Sequence, residues 1–214
     1  MTRAIAAALA ILAVSSAGAA PRPAVAIDVS VVLDVSGSVA GPLEDNLVWY
    51  QQQIKDIIEP GDRQELIVVD REIRRTSDPL GWSVEKPPRI ADGGTRLFDA
   101  LLTAALERVA VGRRHVIVAL TDGLDTSSLV DRATRIAVLR RSRAMVDIVA
   151  ISIGGRRSGF VSHVRGDVEP GDYDYLLREI TTATGGRFYD IRPAASSVVD
   201  SLRADLDRAR RSSP

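Results

Sequence analysis

Cysteine is missing from all 214 residues. That one absence removes disulfides, thiolate metal sites, a cysteine nucleophile and a lipidated cysteine anchor, and leaves the fold to rest on its apolar core. Histidine is scarce: His115 and His163 are the only two, and each reads as structural or solvated rather than as a catalytic base. Net charge is also absent, because 28 basic and 28 acidic side chains cancel. There is no basic field to attract nucleic acid and no acidic block to enforce disorder. Lysine is confined to Lys55 and Lys86, so nearly all positive charge is arginine. No apolar run is long enough to cross a bilayer as a stable anchor.

What is present starts with enough chain, and enough apolar content at 45%, to bury one sizeable core. The first residues have the three parts of a secretory signal peptide. Arg3 gives a positive start, Ala4 to Val14 an apolar run, and Ala17-Gly18-Ala19 small residues for cleavage. The expected organisation is a leader over residues 1–20 and a single domain over 21–214, in a protein exported to the periplasm or secreted.

Past the spacer Pro21-Arg22-Pro23, Val25 to Leu33 is almost wholly apolar and β-branched, the pattern of a strand covered on both faces of a parallel sheet. Gly41-Pro42 opens a helical pattern carried by Leu43, Leu47, Tyr50, Ile54 and Ile57 and stopped by Pro60-Gly61-Asp62. Trp49 and Tyr50 on it read as packing residues. Strands are expected at Glu65 to Asp70 and, as a short edge, Glu72 to Arg75, then at His115 to Leu120, Val146 to Ile153 and Arg187 to Ile191. Helices are expected through Leu97, Leu101, Ala105 and Val109, from Val130 to Ser142, from Tyr173 to Thr184 and from Ala194 to Arg211. Strands alternating with helices predict an α/β fold: a doubly wound, mostly parallel sheet of about six strands, helices on both faces, and one short antiparallel edge strand.

Such sheets bind ligands beyond the carboxyl ends of their strands, where the winding reverses. Asp34, Ser36 and Ser38 follow the first strand, and the apolar run that ends in Leu120 is followed in the same way by Thr121-Asp122-Gly123, oxygen donors and then a glycine. Thr95, preceded by Gly93-Gly94, opens a helix that can face the same point. Oxygen donors without imidazole or thiolate favour a hard cation: magnesium first, with manganese or calcium as substitutes. Asp125 reads as a turn or cap residue, and Asp99 as an acidic residue near the positive end of its helix.

The set Asp34-x-Ser36-x-Ser38, Thr95 and Asp122 resembles the metal-ion-dependent adhesion site of von Willebrand factor A domains. Gly94 to Leu101, Leu120 to Gly123 and Thr184 to Arg187 are similar to further segments of that family, and the pattern is closest to its exported bacterial branch. The resemblance implies Ser36 and Ser38 as direct ligands, with Asp34, Thr95 or Asp122 sometimes acting through water. It also implies a position left open for an aspartate or glutamate of a partner protein. The sequence departs from the family at Pro87-Pro88, where the resemblance implies a helix. The implied function is an exported protein-binding module without catalysis.

An enzymatic alternative, a metal-dependent hydrolase or phosphatase using Asp34, fits the residues less well. A phosphoryl-accepting aspartate of the haloacid-dehalogenase type is followed two residues later by another, and here that residue is Ser36. A serine nucleophile at Ser36 would want a glycine at position 34 and a histidine base nearby. The loop Gly154 to Pro170 is the expected partner-selecting segment. Arg165-Gly166-Asp167 within it is read as coincidence. The arginines at 208, 210 and 211 read as a solvated helix end that suits the dipole, and Val198, Leu202 and Leu206 as anchors of the last helix.

Overall fold

Seven consecutive buried residues, Asp28–Asp34, form β1. The computed structural model describes residues 24–39, 50–76, 94–150, 172–190 and 195–212. Among these, five more strands join β1: Arg63–Val69 (β2), Ile73–Thr76 (β3), His115–Thr121 (β4), Met145–Ala150 (β5) and Phe188–Asp190 (β6). Four helices accompany them: Leu97–Ala105 (α1), Arg132–Ser142 (α2), Asp172–Thr184 (α3) and Ala195–Arg211 (α4). The strand order is β3-β2-β1-β4-β5-β6. All neighbours are parallel except β2 and β3. This is the doubly wound order, and its winding reverses between β1 and β4.

Side-chain alternation along the strands supplies two apolar surfaces. On one face Val29, Val31, Leu33, Val116, Val118 and Leu120 pack against Val198, Leu202 and Leu206 of α4, and against Ile54 and Ile57. On the other, Val32, Ile67, Ile117, Ala119 and Ile148 meet Leu97 and Leu101 of α1, Leu139 of α2 and Leu177 of α3. Each such buried aliphatic side chain contributes about 1.5–3 kcal/mol relative to exposure. The six-strand expectation and the antiparallel edge strand are both met.

Several local expectations are corrected. The first helix after Thr95 ends at Ala105, not Val109, because the chain turns away to deliver the Ala110 N–H to Asp28 Oδ2 at 3.0 Å. The next helix starts at Arg132 rather than Val130, since Asp131 caps it by accepting from Thr134 N at 3.0 Å. The described part of the helix expected before Pro60 is a π-helical turn Tyr50–Ile54 running into a 3-10 turn Lys55–Ile57. Residues 40–49, the Pro87-Pro88 segment, His163 and the loop of residues 154–170 lie outside the described residues.

Arg210 is not part of a solvated helix end. Its side chain is 3% exposed and its guanidinium meets Asp62 at 2.5 Å, Asp207 at 2.7 Å and Glu59 at 3.3 Å. It also donates to the Ile57 carbonyl at 3.1 Å. The pair with Arg210 helps hold the Asp62 carboxyl below its ordinary range, against the opposing effect of burial. A second cluster fixes α4 to the far strands: Tyr189 donates to buried Asp205, which also pairs with Arg208 at 2.8 Å. Asp147 on β5 lies beside Asp205, and burial together with that charge pushes its carboxyl up to about 7. Val25 N donates to Arg210 O at 3.0 Å, so the segment entering β1 and the end of α4 run side by side.

Gly186 shows why a glycine follows α3. A Cβ there would lie 2.0 Å from the Val146 carbonyl oxygen, so only glycine lets the chain pass β5 and enter β6.

Candidate metal centre

The pairing of β1 with β4 sets Leu33 opposite Leu120, so Asp34 and Thr121 end adjacent strands at the winding reversal. Thr121 Oγ1 donates to Asp34 Oδ2 at 2.7 Å. The other carboxylate oxygen, Oδ1, accepts from Ser36 N at 3.0 Å. This short loop closes into a 3-10 turn, Gly37–Val39, with Val39 N bonded to Ser36 O at 3.1 Å. The turn brings the Ser36 and Ser38 hydroxyls to 3.0 Å from each other.

Asp122 follows β4 and is shaped by Gly123, whose φ of +86° lies in the left-handed region. Gly123 N donates back to Thr121 Oγ1 at 3.0 Å, and Leu124 N donates to Asp122 Oδ1 at 3.0 Å. Asp122 Oδ2 is buried with no hydrogen-bond partner. Burial raises the Asp122 carboxyl, with the Leu124 N–H and the Ser38 hydroxyl opposing it. Burial and then the charge of Asp122 raise Asp34 to about 7, against the hydrogen bonds from Thr121 and Ser36. Four sequence-predicted residues, Asp34, Ser36, Ser38 and Asp122, are therefore brought together.

Thr95 reaches the same sheet edge by another route. Arg96 N bonds the Asp70 carbonyl at the end of β2 at 2.9 Å. Thr95 N donates to Thr126 Oγ1 at 2.9 Å, and Thr95 O accepts from Thr126 N and Ser127 N, each at 3.0 Å. Gly94 permits this approach: a Cβ there would stand 2.2 Å from Ser127 Oγ and 2.3 Å from Thr126 Oγ1. None of the described hydrogen bonds of Thr95 runs directly to the other four residues.

Two carboxylates whose ionised forms repel, one with a bare buried oxygen, and neighbouring hydroxyls fit a small hard cation. Among the described residues no three His, Asp or Glu side chains gather, so a cation at this edge would be held by two carboxylates and hydroxyls. The five residues fit such an ion by donor chemistry.

Sequence reading underrated four contributors. Thr121 reads only as one of the oxygen donors after its strand, yet its hydroxyl donates to Asp34 and accepts from Gly123 N. Sequence reading gives Thr126 and Ser128 no role, although the Thr-Ser-Ser run at 126–128 is a signal for hydrogen-bonding turns. Asp99, read as a helix-dipole residue, accepts from Leu129 N at 3.0 Å and Val130 N at 3.4 Å. Asp125 is a turn residue as expected, accepting from Ser128 Oγ at 2.6 Å. His115 is structural, its Nε2 lying 2.9 Å from Ser30 Oγ near the start of β4.

No protein-family model matches this chain, and no curated protein does. Solved structures do. BatB, a conserved hypothetical protein from Bacteroides thetaiotaomicron, superposes with a TM-score of 0.61 at 16% identity, over 87% of this chain and 100% of its own. A von Willebrand factor type A protein from Catenulispora acidiphila gives 0.60 at 17% identity, covering 87% of this chain and 43% of that one. The SpRpn10 VWA domain gives 0.52 at 16% identity, covering 83% and 95%. At these identities the likeness is one of fold.

Proposed function

From the premise that this chain has the von Willebrand factor A fold, we propose that it is an exported protein-binding module. It engages an acidic residue of a partner protein through a divalent cation, magnesium first, held by Asp34, Ser36, Ser38, Thr95 and Asp122. The observation that carries this reading is the bare buried oxygen of Asp122 set across the β1–β4 junction from Asp34. When bound, the cation supplies a Lewis-acidic position for an incoming carboxylate.

The chain's own residues prepare that position. Thr121 and the Ser36 N–H orient Asp34, the Leu124 N–H orients Asp122, and the serine hydroxyls add neutral donors that leave positive charge on the ion. Export rests on the leader-like residues 1–20. No helix among the described residues is long and apolar enough to cross a membrane. Mass spectrometry of the mature N-terminus after expression with the full leader tests export, and an intact Met1 after envelope fractionation would count against it.

Thermal unfolding with and without magnesium or manganese tests the metal reading. At 100 times its dissociation constant a cation stabilises the fold by about 2.7 kcal/mol. Asp34→Ala and Ser36→Ala should abolish the rise in Tm while leaving a folded protein. A wild-type Tm indifferent to every divalent ion would overturn the reading.

A further inference from the structure

Asp99 is 8% exposed and one helical turn past Thr95. Its carboxylate accepts from Leu129 N through both oxygens, at 3.0 and 3.2 Å, from Val130 N at 3.4 Å, and from Arg96 at 2.8 and 3.1 Å. Its own backbone N–H donates to Ser128 Oγ at 3.1 Å, and that hydroxyl donates to Asp125 Oδ1 at 2.6 Å. The same stretch is tied at its other end, where Thr126 and Ser127 bond Thr95. Arg135 of α2 closes the arrangement from outside, its guanidinium over the Phe98 ring and its NH2 donating to Val130 O at 2.8 Å.

A carboxylate at this depth is costly unless its oxygens are satisfied. Here much of that satisfaction comes from backbone of the loop that carries Asp122, not from the helix that carries Asp99. An acidic residue acting only on its own helix dipole would have no need of these long-range bonds. We propose that Asp99 is a positioning residue for the cation site, a clasp that fixes the loop bearing Asp122 against the helix bearing Thr95. None of its described hydrogen bonds runs to a candidate ligand. Its effect on the ion passes through the spacing of Thr95 and Asp122, which sit on separate elements. The inference rests on the metal reading above.

The test is manganese affinity of the purified full domain by titration calorimetry, joined to amide exchange of the metal-free protein. Asp99→Asn keeps the size of the side chain but cannot accept from Leu129, Val130 and Arg96 together. The expected result is about ten-fold weaker manganese binding, as for other residues that orient metal ligands, with faster exchange of the amides at 123–130. Ser128→Ala, a milder change, should move both readouts the same way by less. Val198→Ala, on α4 across the sheet, is the stability control and should leave manganese affinity unchanged. Asp99→Asn binding manganese like the wild type, or Val198→Ala weakening it equally, would overturn the proposal. A wild type that binds no manganese would instead overturn the metal reading itself.

Discussion

Thr121 and Asp34 are joined by a 2.7 Å hydrogen bond across the β1–β4 junction, the donor being the threonine hydroxyl. The same oxygen accepts from Gly123 N, so one side chain orients the first candidate ligand and braces the loop of the second. Thr121→Val keeps the shape and removes both roles. The expected cost is about 1–3 kcal/mol of stability, because Asp34 is left buried with a donor missing. Denaturant unfolding measures it, and magnesium should recover less of the loss than it adds to wild type.

Asp147 gives a pH dependence away from the metal edge. Its carboxyl is raised to about 7 by burial and by Asp205, above the ordinary unfolded value. Its contribution to stability is therefore full below that unfolded value and is lost as pH rises through about 7. Asp147→Asn can keep accepting from Arg187 N, a bond of 2.7 Å in the wild type. Relative to wild type, the variant should gain a few kcal/mol between pH 4 and pH 8. Parallel unfolding curves for the two proteins across that range would refute this.

Arg210→Met should be among the most damaging changes outside the core. It strands Asp62, whose side chain is 2% exposed, without its 2.5 Å partner, at a cost of about 3–5 kcal/mol. The double variant with Asp62→Asn should recover much of the loss. Urea unfolding of the four proteins of this cycle measures the coupling.

Gly186→Ala should lower Tm sharply, because the new methyl would meet the Val146 carbonyl oxygen at 2.0 Å and backbone has to shift. A loss of about 2 kcal/mol or more is expected, near 4–8 °C for a chain of this size. Differential scanning calorimetry reads it directly.

The fold was legible because its strands announce themselves. Val29 to Leu33, broken only by Ser30, and Val116 to Leu120 are apolar, as doubly covered strands are, and the oxygen donors after each pointed to one sheet edge. Helix ends were less legible. Ala105 rather than Val109 ends α1 because Asp28, some eighty residues earlier, takes the Ala110 N–H, and no local pattern encodes that bond. Arg210 misled for a similar reason. Its neighbours Asp207, Asp205 and Arg211 describe an exposed helix end, whereas Asp62 and the Ile57 carbonyl come from a remote turn. Asp99 looked like a dipole residue because the N–H groups it binds lie thirty positions on.

The hydrogen bond from Val25 to Arg210 has a practical consequence. It gathers the entry to β1 and the end of α4 where β1 starts, a strand's length of about 20 Å from Asp34. A purification tag, surface linker or fluorophore attached before Ala24 or after Ser212 therefore leaves from that end. A sensor chip loaded through either attachment would display the Asp34 edge outward, so both orientations should report the same partner affinity.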